Sequence, residues 1–238
     1  MITFSKIHKK FDKYEVLKDI NLEFKEGNII GLIGPNASGK TTLIKTLLGM
    51  VVPTSGDILF MDKSIKKDWE YRNHIGYMPQ IGRYPENMTI GQVFEMIEDL
   101  RDKRQEPDKD LFRSYNLGTL LQKRMGTLSG GTRQKVSAYL AFLFDPKVLV
   151  LDEPTAGLDP LSSLKLKEKI IKEKEKGKLI IISSHILSEL DDVVNQIVYL
   201  EEGKVIVDQP IDELKAETQR SKLSEAIAVL MEKSSKQY

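Results

Sequence analysis

Apolar and polar residues alternate from Ile2 to Ile7, and again through Ile20, Leu22 and Phe24, the period of strands with one buried face. After a turn at Glu26 and Gly27 the alternation stops. The segment NIIGLIG, residues 28–34, is apolar almost throughout and predicts a fully buried strand. GDILFMD from Gly56 and HIGYMP from His74 read as further short strands. The period changes at Thr89, because Ile90, Val93, Phe94, Ile97 and Leu100 fall at helical spacing. Leu111 to Leu128 reads as broken short helices and Gly131 to Phe144 as another helix, so Tyr84 to Asp145 is expected to be a mostly helical insert.

The buried-strand pattern returns in KVLVLDEP, residues 147–154. DPLSSLKLKEKIIKEKEKGK follows as a helix with Gly177 as its stop, then a strand LIIISS and a helix ILSELDDVVN from Ile186 to Asn195. QIVYLEEGKVIVDQ predicts a hairpin turning at Glu202 and Gly203. The last segment is amphipathic through Leu223, Ile227, Leu230 and Met231, and either docks on its own domain or serves a dimer contact. The lysine and glutamate run from Lys165 to Lys178 reads as a solvated helix face. Strand alternating with helix predicts an α/β fold around a parallel sheet.

At 238 residues the chain can bury a proper core as one large domain or two small ones. Its 36 basic and 35 acidic side chains leave a formal charge of +1, so charge balance alone points neither to nucleic acid nor to a membrane surface. There is no cysteine, which removes disulfides, thiolate metal sites and thiol nucleophiles together. No stretch has the apolar length of a membrane span, and the N-terminus lacks a signal core, so a cytosolic protein is expected, held at any membrane by something else.

Chemistry enters at LIGPNASGKTTLIKTLLG, residues 32–49. A loop between a buried strand and a helix start leaves backbone N–H groups free where the helix dipole favours an anion. Gly34, Gly39, Lys40 and Thr41 meet the pattern G-x-x-x-x-G-K-[ST] of a nucleotide phosphate loop. Lys40 would reach the β- and γ-phosphates and Thr41 would give a hydroxyl to Mg²⁺. Downstream, the strand at Val148–Leu151 ends in Asp152 and Glu153. Asp152 could approach the metal, and Glu153 could accept a proton from an attacking water. Between these lies LSGGTRQK, residues 128–135, in which Ser129, Gly130 and Gly131 open a helix and form a second anion cradle.

These motifs, in this order, resemble the ATP-binding-cassette (ABC) family of ATPases from Ile2 to about Asp212. The family's phosphate loop matches Gly34, Pro35, Asn36, Ala37, Ser38, Gly39, Lys40, Thr41 and Thr42; its glutamine loop matches YMPQ at Gln80. Its signature LSGGQ matches LSGGT, with Thr132 where glutamine is usual, and its magnesium strand matches VLVLDEP. Its D-loop matches AGLD at Ala156–Asp159 and its switch histidine matches His185. The resemblance implies a P-loop NTPase fold: a RecA-like core with an antiparallel β subdomain at residues 1–83 and 146–210, a helical subdomain at 84–145, and a short helical extension at 211–238.

It also implies the ligands, ATP and Mg²⁺, and the roles. Thr41, Gln80 and Asp152 organise the metal. Glu153 acts as general base, with His185 near the γ-phosphate and Lys40 on the phosphates. Phe11 stacks on adenine, Ser129, Gly130 and Gly131 grip the γ-phosphate of a facing subunit, and Asp159 links the two sites. The implied partners are a second copy, paired head to tail, and separately encoded membrane transporter subunits that hold the chain on the inner face of the cell membrane. DEPTAGLDP with SSHILSEL is most similar to the ABC-2 exporter-type group. MGTLSGGTRQK is similar to the ATPases that assist copper-site assembly in nitrous oxide reductase.

Overall fold

The structure, a computed structural model, describes residues 1–100, 106–187 and 190–235. The chain forms two compact units, residues 1–72 with 179–238, and residues 73–178.

In the first unit, β1 (Ile2–Phe11) and β2 (Tyr14–Phe24) pair as an antiparallel hairpin, and β4 (Ser55–Phe60) and the two-residue β5 (Lys63–Ser64) complete a four-stranded sheet in the order β2-β1-β4-β5. Ile2 faces Phe24 and Phe4 faces Leu22 across the hairpin, with the Phe4 and Phe24 rings edge to face at 5.6 Å. The register shifts between Phe4 and Ile7, where Lys6 takes a φ of 51°. This bulge restores the inward face after a three-residue step, so Ile7 stays buried opposite Ile20.

The second sheet of this unit is built on β3 (Ile29–Ile33), every residue of which is buried. Parallel neighbours flank it on both sides, β8 (Leu179–Ser183) and β9 (Gln196–Glu201), which explains why its sequence lacks alternation. β10 (Lys204–Pro210) runs antiparallel to β9 through a turn in which Glu202 and Gly203 have φ of 45° and 79°, the hairpin expected from the sequence. α1 (Lys40–Leu47) follows β3. The terminal helices α6 (Ile211–Thr218) and α7 (Leu223–Ser235) pack together and bury Leu223, Ala226 and Ile227, so the last amphipathic segment docks on its own domain.

A helix was expected from Ile186 to Asn195. Residues 190–193 instead form a turn, and Ser188 and Glu189 lie outside the described residues. Packing decides the outcome: Leu190 and Val194 cover β3 at Gly31, while Asp191 accepts from Lys215 Nζ (2.5 Å) and from the Leu223 N–H (2.9 Å).

In the second unit β6 (Ile75–Met78) pairs in parallel with β7 (Val148–Asp152). Among its described residues, four helices accompany them: α2 (Ile90–Asp99), α3 (Asp110–Ser114), α4 (Gly130–Phe142) and α5 (Pro160–Glu175), with short 3₁₀ turns between α3 and α4 as the broken pattern foretold. A reciprocal capping box between Thr89 and Gln92 starts α2. Phe94, Phe112 and Tyr139 form an aromatic cluster with centroids 4.7–6.2 Å apart. α5 ends at Gly177, whose φ is 84°.

The charged run on α5 is not simply a solvated face. Lys169 is 3% exposed and meets Asp108 (2.5 Å), Asp110 (2.9 Å) and Glu173 (2.9 Å). Glu173, also buried, pairs with Lys176 and Lys178, and Lys178 reaches Asp145. Residues 169 and 173 lie one turn apart on the side that also carries buried Leu166 and Ile170, so α5 buries charge with its own counter-ions. Among the described residues of the chain, no helix is long and apolar enough to cross a membrane.

Candidate functional site

In the first unit the chain leaves β3 at Ile33 and enters α1 at Lys40. Gly34 has a φ of 147°, and a Cβ there would lie 2.0 Å from the Leu200 carbonyl oxygen, so only glycine fits. Ser38 is buried; its N–H donates to the Pro35 carbonyl (3.2 Å) and its carbonyl accepts the Gly203 N–H (3.1 Å), which fixes the loop against the β9–β10 turn. Ala37 and Gly39 both take positive φ, 63° and 108°. α1 has neither a side-chain cap nor an acidic residue in its first turn, so its leading N–H groups and dipole face the loop. Lys40 Nζ donates to the carbonyls of Gly34 and Pro35, both at 2.8 Å, which holds the ammonium over the loop from Gly34 through Pro35, Asn36, Ala37 and Ser38 to Gly39. Thr41 and Thr42 continue α1, and Thr41 is exposed.

His185 follows β8 and is exposed. Because β3 and β8 are adjacent and parallel, with Leu32 opposite Ser183, the loop and His185 emerge at the same carboxyl edge of the sheet, where ligands bind in open α/β sheets. Phe11 closes β1 at 45% exposure, with Lys9 Nζ 4.7 Å from its ring centre, so it is a surface aromatic rather than a core residue.

The second unit holds the carboxylates. β7 delivers Asp152, which is 5% exposed, and the next residue, Glu153, takes a φ of 48°. A left-handed glutamate at a strand end is a strained conformation of the kind concentrated at functional sites. Gln80, two residues past Met78 at the end of the parallel neighbour β6, donates from Nε2 to Glu153 Oε2 at 2.9 Å. The structure thus joins two residues that the sequence nominated separately. Gln134 Nε2 adds a bond to the Glu153 carbonyl (3.4 Å), and the Ala156 N–H donates to the same carbonyl (3.1 Å). Burial, together with the charge of Asp152, pushes the Tyr77 hydroxyl up to about 12.

Ser129 is the N-cap of α4, accepting the Thr132 N–H at 3.3 Å, and its Oγ lies 2.9 Å from Thr132 Oγ1. A Cβ on Gly131 would sit 2.6 Å from the Gly157 carbonyl oxygen, whereas one on Gly130 would meet nothing within 4 Å. Asp159 caps α5, accepting the Ser162 N–H (2.9 Å), the Ser162 hydroxyl (2.7 Å) and Lys135 Nζ (2.7 Å). Lys135 first, then the Ser162 bonds, hold its carboxyl well below the usual carboxylate range. Asp159 therefore ties α4 to α5. The Asp-Pro start of α5 with serine three residues after the aspartate is a readable cap signal; Gln134, Tyr77 and Lys135 carry no such signal. A groove of about 320 Å³ also lies within this unit, lined by Tyr77, Pro79, Arg83, Tyr84, Ile97 and Phe144 among others.

The nominated residues are thus divided. Phe11, Gly34–Thr42 and His185 belong to the first unit; Gln80, Ser129, Gly130, Gly131, Asp152, Glu153 and Asp159 belong to the second. Thr41 offers a hydroxyl, Asp152 a carboxylate and Gln80 its amide oxygen, since its nitrogen is given to Glu153. Each is an oxygen donor of the kind that a hard divalent cation such as Mg²⁺ accepts.

A protein-family model described as ABC transporter matches residues 17–156. The lantibiotic transport ATP-binding protein SrtF of Streptococcus pyogenes is 31% identical over 214 residues, covering 89% of this chain and 92% of SrtF. Among solved structures, the ATP-binding subunit of an ABC transporter superposes with a TM-score of 0.88 at 28% identity, covering 97% of this chain and 99% of that one. The dimeric post-hydrolysis state of the ATP-binding cassette MJ0796, bound to ADP and phosphate, gives a TM-score of 0.79 at 21% identity over 89% of this chain and 99% of that one.

Proposed function

Since the chain belongs to the family of ABC transporter ATP-binding proteins, and is therefore an ATP-binding ATPase, we propose that it closes head to tail with a second copy around two ATP and drives separately encoded membrane transporter subunits. Gly130 is the observation that carries the pairing. Nothing in its own chain lies within 4 Å of a Cβ there, which leaves the backbone at the start of α4 open to a second molecule's nucleotide. Gly131, by contrast, is required within the chain by Gly157.

In this reading the loop from Gly34 to Thr42 wraps the phosphates. Lys40 exchanges its two carbonyl partners for phosphate oxygens, which add the attraction of a full negative charge that neutral carbonyls lack. Thr41, Asp152 and Gln80 would hold Mg²⁺, which when bound would neutralise charge on the transferring phosphoryl group. Glu153 takes the proton of the attacking water, oriented by the bond from Gln80 and by the backbone bonds on its own carbonyl. His185 contacts the γ-phosphate, Phe11 stacks on adenine, and Ser129 with Gly131 completes the site of the facing copy. Asp159, by tying α4 to α5, keeps that signature end in place.

The groove beside Tyr77 and Pro79 supports docking of a short helix from the membrane partner, which would place the chain on the inner face of the membrane. Its wall runs directly into Gln80, so a guest there bears on the residue that holds the base. The test is Glu153→Gln. It should retain ATP and accumulate as an ATP-bound dimer while turnover falls at least about a hundredfold, the usual weight of a general base; undiminished turnover removes Glu153 from that role.

Co-purification with membrane subunits from solubilised membranes tests the coupling. Recovery only as a free soluble dimer favours the alternative, a soluble ABC ATPase that assists cofactor or metal-cluster assembly. The narrower reading, a transporter serving copper-site assembly of nitrous oxide reductase, rests on the segment Met125–Lys135. Gene deletion that leaves that reductase fully metallated would remove it.

A further inference from the structure

Thr132 stands at a position the ATPase reading leaves without a role, and its side chain is turned onto Ser129, the residue assigned to the facing copy's γ-phosphate. The inference rests on that assignment. A serine hydroxyl has one proton to give and two lone pairs to fill. One lone pair of Ser129 takes the Thr132 N–H at 3.3 Å, the ordinary N-cap bond. The threonine hydroxyl lies 2.9 Å from the same oxygen, and the bond between them can run in either direction.

The two directions differ in what Ser129 shows to the outside. If Ser129 donates to Thr132, its proton is used and a lone pair faces outward, which repels an anion. If Thr132 donates, both lone pairs of Ser129 are filled from one residue and its proton is left to point outward. A phosphate oxygen only accepts, so the second direction is the one an incoming γ-phosphate selects. The chain Thr132 hydroxyl to Ser129 hydroxyl to phosphate then has every bond running the same way, so each polarises the next.

We propose that Thr132 is a positioning residue whose hydroxyl, by donating to Ser129 Oγ, commits the serine proton to the γ-phosphate held by a second copy. Valine is its natural probe. Thr132→Val keeps the β-branched shape and the backbone N–H that caps α4, with a helix propensity close to threonine's, and removes only the hydroxyl. Thr132→Ser restores the donor without the methyl group. Both are made in the full chain carrying Glu153→Gln, with Ser129→Ala as reference. Dimerisation at saturating Mg-ATP is followed by sedimentation, and nucleotide affinity is measured on the dilute monomer.

Thr132→Val should weaken ATP-driven dimerisation about thirtyfold, about fivefold for the hydrogen bond lost at each of the two sites. Monomer affinity and melting temperature should stay at parental values, and Thr132→Ser should recover dimerisation to within about twofold. Parental dimerisation in Thr132→Val overturns the proposal, as does a serine variant as weak as the valine, or a valine variant that also loses monomer affinity or melts lower. Ser129→Ala separates the two levels. If it weakens dimerisation while Thr132→Val does not, only the role of Thr132 falls; if it has no effect, the assignment of Ser129 falls as well.

Discussion

Lys169→Met tests whether the buried charges of α5 are balanced as a unit. The lysine is 3% exposed and lies within 2.9 Å of three carboxylates, from Asp108, Asp110 and Glu173. Methionine keeps most of the aliphatic stem and removes the ammonium. At an effective dielectric of about 20, each pair at this separation attracts by roughly 6 kcal/mol before desolvation, and breaking a buried pair typically costs about 3–5 kcal/mol net.

The loss should fall at the low end of that range. Asp110 is more than half exposed and can return to water, and Glu173 keeps Lys176 and Lys178. We expect about 3 kcal/mol, a fall in melting temperature of about 6–12 °C for a chain of this size, followed by circular dichroism at pH 7. A fall below about 2 °C would refute the reasoning, because solvent or repacking would then be supplying what the ammonium is credited with.

Acid gives the same network a second reading. Burial alone would raise the Glu173 carboxyl, but hydrogen bonds from Lys176, Lys178 and Lys169 outweigh it and hold the group at about 2 against an ordinary 4.5. Its stabilisation is therefore complete above 4.5 and is lost as pH falls toward 2, at most about 3 kcal/mol in all. In Lys169→Met the carboxyl is depressed less, so the gap between variant and parent should narrow between pH 4.5 and 2. A gap that widened over that interval would reverse the sign of the argument.

Two further substitutions separate folding from assembly. Gly34→Ala places a methyl 2.0 Å from a carbonyl of β9 in a φ region closed to alanine; it should cost at least about 3 kcal/mol and abolish nucleotide binding, and a parental melt with intact binding would show that the loop gives way. Gly130→Ala meets nothing in its own chain, so its melting temperature should stay within about 2 °C of the parent while ATP-driven dimerisation in the Glu153→Gln background falls more than about tenfold. Undisturbed dimerisation would remove the argument for a facing copy.

The phosphate loop and the carboxylate-ended strand were legible because their chemistry depends on residue type at fixed local spacing. Gly34, Gly39 and Lys40 serve one turn, and Asp152 with Glu153 ends one strand. The hairpin at Glu202 and Gly203 and the stop at Gly177 were legible for the same reason, since each needs a backbone conformation that few residues adopt. What escaped depends on partners far along the chain. Lys169 and Glu173 carry an ordinary helical charge spacing, and nothing local says that Asp108, Asp110 and Asp145 will close over them. The bond from Gln80 to Glu153 spans 73 positions. Ile186–Asn195 has a fair helical pattern and keeps one helical bond, from the Val194 N–H to the Leu190 carbonyl (3.0 Å), but residues 190–193 form a turn whose Asp191 is bonded to Lys215 and to the Leu223 N–H, partners that lie far along the chain.

The interrupted path of the first unit has a consequence for biosynthesis. β3 emerges early from the ribosome, yet both of its neighbours, β8 and β9, are encoded near the other end, and the Ile29 N–H waits for an acceptor on Asn195, 166 positions later. Gly34 likewise leans on Leu200, and Ser38 on Gly203. The antiparallel sheet of β1, β2, β4 and β5 has all its members within the first 64 residues and can assemble while translation continues. The nucleotide cradle cannot, so a nascent or prematurely terminated chain is kept from capturing ATP until almost its last strands are made.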